Sequence, residues 1–213
     1  MVIIGMDLSG PGNSSDTAVV AFKSSGKGLA RIRHLTRADD GDILDFMTSL
    51  ELDSPPVVGI DAPLSYNVGG GDRSGDAALR KRVIAAGMKA GSIMPPTLTR
   101  MAYLTLRGIS IARLLSATFD NIKIAEIHPG GTMALGGAPI EDVRHFKKEE
   151  NARMALLNWM VTQGLEHADD IRDPSDHYVA ACAAALGAWK WHLGLSEWLY
   201  RSEQPFHPFD YAC

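Results

Sequence analysis

The first half of the chain alternates short apolar runs with turn residues, a pattern typical of strands in an α/β protein. The run VIIGM at 2–6 is continuous and apolar and predicts a buried strand, and TAVVAF at 17–22 and LARIRHL at 29–35 predict two more. Residues 39–52 have apolar positions at helical spacing and stop at Asp-Ser-Pro-Pro. PVVGI at 56–60 then predicts a fourth strand.

The second half is more helical. A glycine-rich loop at 67–76 leads to predicted helices at 77–88 and 98–119, which Pro95-Pro96 separates. NIKIAEIHP at 121–129 returns to strand character, and 145–164 predicts an amphipathic helix closed by Gly164. The last helix is expected to begin at DPSD, with Asp173 as N-cap and Pro174 in the first helical position. Its alanine-rich run should pack closely against the sheet.

Three strands, a helix and another strand is the element order of a ribonuclease H-like core, although other α/β folds share it. We therefore expect an α/β protein with a mixed five-stranded sheet and helices on both faces. Residues 1–213 should form a single domain, with a helical insertion at 64–120 between the fourth and fifth strands.

Four carboxylates stand where a predicted strand ends or a predicted helix begins: Asp7, Asp61, Glu126 and Asp176. The carboxyl edge of a parallel sheet is where open α/β folds bind ligands, and hard cations such as magnesium prefer oxygen ligands. The pattern predicts a site for Mg²⁺ or Mn²⁺. For any one of these acids the simpler alternative is that a short strand ends in a polar residue without any function. Asp176 could instead serve the helix start, and Glu126 could pair with a nearby basic residue.

The net charge of −4 is unevenly distributed. Between Asp72 and Arg113 eight basic residues face two acidic ones, a local balance of +6. Such asymmetry suits a substrate that carries phosphate, although solvated helix faces give the same count. The candidate substrate-binding residues are Arg73, Arg80, Arg100, Arg107 and His128.

Composition adds little to this picture. No run of 18 apolar residues predicts a membrane span, and Cys182 and Cys213 form no disulfide framework or metal-ligand spacing. We expect a soluble, cytoplasmic protein with no membrane partner.

Several segments together resemble a known family. GIDAPLS, RSGDAALRKRV, EIHPG, HFKKEENARMALL and DPSDHYVAACAAA are similar to the predicted nucleases with a ribonuclease H-like fold catalogued as domain of unknown function family four-two-nine. The resemblance implies metal-dependent phosphodiesterase activity. It also brings forward the four acids, together with Arg73, Asp76 and Arg80. Gly130 stands where the pattern would place an acid after His-Pro.

The expected function is metal-dependent hydrolysis of phosphodiester bonds in a nucleic acid or nucleotide. One alternative is a nucleotide-binding or phosphoryl-transfer protein of the actin and sugar-kinase class, because GMDLSGPGNSSDTAVV also fits the first strand and hydroxyl-rich turn of that class. The other is a non-catalytic module that binds nucleic acid.

Overall fold

The computed structural model describes residues 1–213. Its strands are β1 (Val2–Asp7), β2 (Ala18–Ser25), β3 (Gly28–Thr36), β4 (Val57–Asp61), β5 (Lys123–Ile127), β6 (Leu165–Glu166), β7 (Leu199–Tyr200) and β8 (Asp210–Ala212). Its α-helices are α1 (Asp40–Thr48), α2 (Ser74–Ala85), α3 (Thr99–Thr118), α4 (Pro129–Leu135), α5 (Ile140–His145), α6 (Glu150–Thr162) and α7 (Asp176–Leu193).

All strands join one mixed sheet in the order β6-β3-β2-β1-β4-β5-β8-β7. β1, β2 and β3 form an antiparallel meander, whereas β4, β5 and β8 continue from β1 in parallel. The α/β class and the mixed sheet are confirmed, but the expected five strands were too few. The extra strands β6, β7 and β8 have only two or three residues each, too short for an apolar run to reveal.

Helices cover both faces of the sheet, as predicted. Adjacent β1 residues point to opposite sides, so Ile3 joins one apolar core and Ile4 the other. The first core includes residues of α6 and α7, and the second includes residues of α1 and α3. α3 lies within the 64–120 segment, so part of this segment packs directly against the sheet.

The close approach of α7 to the sheet depends on two glycines. A Cβ on Gly5 would lie 1.9 Å from the carbonyl oxygen of Ala181, and one on Gly59 would lie 2.5 Å from that of Ala184. The alanines of α7 provide the matching small surface, so the predicted close packing of this run is confirmed. It brings the N-terminal end of α7 towards the end of β1.

Several predicted helix limits were wrong, since α1 ends at Thr48 and not at 52, and α2 begins at Ser74 and not at 77. The N-cap of α7 is Ser175, whose hydroxyl accepts from the Tyr178 amide, and Asp173 instead has a positive φ of 51° before the helix. Asp176 is therefore the first helical residue. The predicted helix at 145–164 begins later than expected, because α5 ends at His145, a turn follows, and α6 spans Glu150–Thr162.

Candidate functional site

Asp7 and Asp61 occupy equivalent positions at the carboxyl ends of two neighbouring parallel strands. They are direct partners in the register of β1 and β4, so their side chains emerge side by side. Asp7 is 9% exposed, and both residues line a cleft with a volume of about 740 Å³. No Lys, Arg or His side chain forms an ion pair with Asp61. The structure thus brings together the first two acids that the sequence predicts.

Burial and mutual proximity disfavour ionisation of this pair. Burial raises the pKa of Asp7, and the hydrogen bond with His177 acts against that rise. Burial also raises the pKa of Asp61 well above its ordinary value, and the charge of Asp7 raises it further. A cation placed between the two carboxylates would remove this penalty.

His177 contacts the pair through Asp7. Its Nδ1 lies 2.7 Å from Oδ2 of Asp7, and its Nε2 lies 3.9 Å from Oδ1 of Asp176 and 4.0 Å from Oδ2 of Asp16. The hydrogen bond with Asp7 raises the pKa of the imidazole. His177 was not among the site residues predicted from the sequence. Its position directly after Asp176, in the first turn of a helix, was the available signal.

Asp176 and Asp16 reach the same cleft from outside the parallel strands. Asp176 is the first residue of α7, and Asp16 lies in the turn between β1 and β2. Both therefore add negative charge near His177.

Glu126 faces away from this cleft. Its carboxylate accepts hydrogen bonds from Nη1 of Arg73 at 2.7 Å and from the Leu64 amide at 2.8 Å, and it is 5% exposed. Arg73 also donates to Asp76, so the three residues form a buried charged network. No group of three or more His, Cys, Asp or Glu side chains is arranged to hold a metal ion. The four predicted acids do not form one cluster.

Three of the four arginines named as candidate substrate-binding residues have internal partners. Arg73 lies in the buried network, and Arg80 pairs with Asp72 and donates to the carbonyl of Ile93. Arg107 is 3% exposed and contacts Asp40, Thr17 and the carbonyl of Ala38. Two of these partners, Glu126 of Arg73 and Asp40 of Arg107, could not be predicted from the sequence, because only the fold brings residues more than 50 positions apart together.

Arg100 differs from the other three. It is exposed, forms no ion pair and contacts the sulfur of Met94, a residue of the cleft wall. It is therefore the one arginine of this set that stays available at the surface near the site.

His128 also lines the cleft, but both ring nitrogens are engaged. Nδ1 accepts from the Gly131 amide at 2.8 Å and thereby caps α4, while Nε2 lies 3.0 Å from the carbonyl of Ser92. Burial lowers the pKa of this histidine to about 4. The imidazole is thus neutral at neutral pH, with the proton on Nε2.

The side chains of the hydroxyl-rich turn after β1 are hydrogen-bonded to one another and to Arg107. The Ser9 and Thr17 hydroxyls are hydrogen-bonded at 2.8 Å, and Nη1 of Arg107 lies 2.7 Å from the Thr17 hydroxyl. These groups satisfy one another's hydrogen bonds, and Ser9 also lines the cleft.

Comparison with known families gives one match. The model of a family described as "Protein of unknown function (DUF429)" matches residues 5–204. The chain belongs to this family. No curated protein and no solved structure matches it. The family match agrees with the resemblance drawn from the sequence motifs.

Membership of this family does not assign an activity to the chain. None of the helices is long and apolar enough to cross a membrane.

Proposed function

We propose that this protein is a metal-dependent phosphodiesterase with a ribonuclease H-like arrangement of its α/β core, acting on a nucleic acid or nucleotide. The observation that carries the proposal is the Asp7–Asp61 pair. Two carboxylates stand at matched register positions in a cleft, and no cationic side chain forms an ion pair with Asp61. Such a pair is costly to ionise without a cation, which is a feature expected of functional rather than structural acids.

The donor set fits magnesium or manganese. Mg²⁺ is commonly held by one or two carboxylates, while water and substrate phosphates complete its coordination. Asp7 and Asp61 would hold the ion, and Asp176 and Asp16 lie close enough to His177 to add negative charge on the same side. An ion bound there would lower the pKa of a water molecule and balance the charge that develops on the phosphate.

Hydrolysis joins a water oxygen to phosphorus and breaks one P–O ester bond, so the attacking water loses a proton and the leaving oxygen takes one up from the solvent. His177 is suited to accept the proton of the water, because Nδ1 is held by Asp7 and Nε2 is directed to the other acids of the cleft. Asp7 fixes the orientation of the ring and stabilises its protonated form. The residues thus supply metal ligands and a proton acceptor within one cleft.

Glu126 and Arg73 have a positioning role in this proposal. Their ion pair links the end of β5 to the start of α2, and the Leu64 amide ties the segment after Asp61 to the same carboxylate. The network therefore fixes the backbone that follows Asp61 without contacting the cleft.

The direct test is a cleavage assay on single-stranded DNA, RNA, duplex DNA and a dinucleotide, in Mg²⁺, Mn²⁺ or EDTA. Wild type should release product only with metal, and Asp61→Asn should abolish release. Asp45→Asn, which changes an exposed acid on α1, is the matched control and should behave as wild type. Equal cleavage by wild type and Asp61→Asn, or cleavage that persists in EDTA, would contradict the proposal.

The cleft is also large enough for a mononucleotide, as the phosphoryl-transfer alternative requires. A thermal-shift titration with ATP and Mg²⁺ separates the two activities. Stabilisation by ATP together with phosphate transfer to an acceptor, and no cleavage of any phosphodiester, would favour that alternative. A purely binding module would instead retain nucleic-acid binding without metal and after Asp7→Asn.

A further inference from the structure

Positive and negative charges are separated within the cleft. Its acidic residues come from the end of β1, the end of β4, the first turn and the start of α7. Its basic residues come from other segments: Lys89 from the connection between α2 and α3, and Arg144, Lys147 and Lys148 from the end of α5 and the following turn. A phosphodiester needs both kinds of surface, since carboxylates hold the cation and basic groups hold the phosphate oxygens.

Lys147 is the most suitable phosphate ligand of this basic group. It is exposed and forms no ion pair, whereas Arg144 is bound to Glu141 at 2.8 Å. Its ammonium is also within electrostatic range of the acid pair: burial raises the pKa of Asp7 and Asp61, and the charge of Lys147 acts against that rise in both. Lys89 and Lys148 are exposed and unpaired as well.

A third part of the lining is apolar and adaptable. Met88, Met94, Met101 and Leu104 are half-buried and belong to the same cleft. Flexible thioether side chains suit the varied faces of a sugar and base. A volume of about 740 Å³ falls within the range of small-ligand sites.

We propose that the turn between α5 and α6 binds the substrate phosphate, with Lys147 as its central contact, and that the cleft takes a single phosphodiester unit of one or two nucleotides. This inference rests on the proposed function, because it identifies the substrate of the same site. The unit is either a free dinucleotide or the end of a single strand, and both present the same chemistry to the protein.

Binding can be tested without hydrolysis. The probes are a thymidine dinucleotide with its charged phosphodiester and the same dinucleotide with a neutral methylphosphonate linkage, titrated in EDTA at low salt. Wild type should prefer the charged probe. Lys147→Gln should weaken binding of the charged probe about tenfold and leave the neutral probe unchanged, because only the charged linkage loses a charge-assisted hydrogen bond.

Lys27→Gln is the matched control, since Lys27 is exposed between β2 and β3 and lies outside the cleft. It should bind both probes as wild type does. Equal binding of the two probes by wild type, or equal weakening by the two lysine variants, would overturn the inference. Lys147 is a surface residue, so the variant should melt at the temperature of the wild type.

Longer substrates show whether the bound phosphodiester belongs to a free dinucleotide or to the end of a strand. They also separate this inference from the proposed function. If a long oligo(dT) competes with the dinucleotide, the substrate is a strand end, and if it does not compete, the substrate is a free dinucleotide. Duplex DNA that competes more strongly than either oligo(dT) or unlabelled dinucleotide would contradict a cleft for a single unit. Lys147-dependent binding without metal-dependent cleavage would support the inference and reject the phosphodiesterase activity. Metal-dependent cleavage with the same kcat and KM in wild type and Lys147→Gln would support the phosphodiesterase activity and reject the inference about Lys147.

Discussion

At Asp7, a single substitution separates metal binding from folding. Asp7→Asn removes one charge from a buried pair, so the metal-free variant should be as stable as wild type or more stable. Mg²⁺ should raise the melting temperature of wild type but not of the variant, because only a ligand that binds the folded state stabilises it. Differential scanning fluorimetry with and without Mg²⁺ measures both effects.

The control for Asp7→Asn is again Asp45→Asn, which removes the same charge from an exposed position on α1. It should keep the full metal-dependent shift. Identical shifts in wild type and Asp7→Asn would place the bound metal elsewhere on the protein.

His128 gives a prediction about pH. Burial lowers the pKa of His128 in the folded state to about 4, below the value of 6.5 for an unperturbed histidine. The unfolded chain therefore binds more protons in that interval, so this residue makes stability fall as the pH drops from about 6.5 towards 4. His128→Asn, which keeps a side-chain acceptor for the Gly131 amide, should show a weaker loss.

The measurement is the urea midpoint of wild type and His128→Asn near neutral pH and near pH 5. Other histidines with lowered pKa values, His34 and His192, affect both proteins equally, so the difference between the two slopes isolates His128. Parallel slopes would show that His128 is protonated in the fold or does not titrate in this range.

The packing of α7 on the sheet can be tested at the element scale. Gly59→Ala would place a Cβ 2.5 Å from the carbonyl oxygen of Ala184, a backbone atom that cannot move without shifting α7. We expect a loss of about 3 kcal/mol or more in the free energy of unfolding, at the upper end of overpacking effects. Gly12→Ala, where nothing lies within 4 Å, should change it by less than about 0.5 kcal/mol.

Urea denaturation of the two variants checks this prediction. A Gly59→Ala protein as stable as wild type would mean that α7 can move away from β4 at little cost. In that case the position of Asp176 and His177 would be less firmly fixed than the structure indicates.

The buried network of Arg73 is a second test at this scale. Arg73→Met leaves Glu126 and Asp76 without their cation, and losing one partner of a buried ion pair costs about 3–5 kcal/mol. Arg100→Met makes the same change at an exposed, unpaired arginine and should be nearly neutral for stability. Similar unfolding free energies for the two variants would show that the buried network of Arg73 adds no net stability.

The main strands and helices could be predicted because their apolar periodicity is local. β1 to β5 and the long helices follow apolar runs, and the convergence of Asp7 and Asp61 follows from two such runs being parallel neighbours. The strand β8 could not be predicted, since its three residues are stabilised by pairing with β5 and not by their own pattern. The partners of Glu126 and Arg107 were invisible for a similar reason. Both side chains lie beside residues more than 50 positions away in the chain.

At the scale of the whole molecule, the structure changes the meaning of the charge asymmetry. The segment from Asp72 to Arg113 has a formal balance of +6, but Arg73, Arg80 and Arg107 pair with carboxylates. The acids that neutralise Arg73 and Arg107 include Glu126 and Asp40, which lie outside the segment. Its outward positive charge is accordingly smaller than the sequence count, and the unpaired lysines of the cleft come mainly from the turn after α5.

This distribution predicts a weak salt dependence for binding of a single strand. Three unpaired lysines line the cleft, Lys89, Lys147 and Lys148, and each phosphate contact on single-stranded nucleic acid contributes about −0.7 to the slope of log K against log salt concentration. The slope should lie between about −0.7, for the one phosphate that Lys147 binds, and about −2, for a strand whose neighbouring phosphates also contact Lys89 and Lys148, and Lys147→Gln should reduce its magnitude by about 0.7. Binding of labelled oligo(dT) measured at several salt concentrations in EDTA gives the slope directly.

If the whole basic segment from Asp72 to Arg113 faced the nucleic acid, the slope would be more than twice as steep and Arg80→Gln would reduce it as much as Lys147→Gln does. The Arg80–Asp72 pair argues for the smaller value, because an arginine already neutralised by a carboxylate releases no additional counterion from a phosphate.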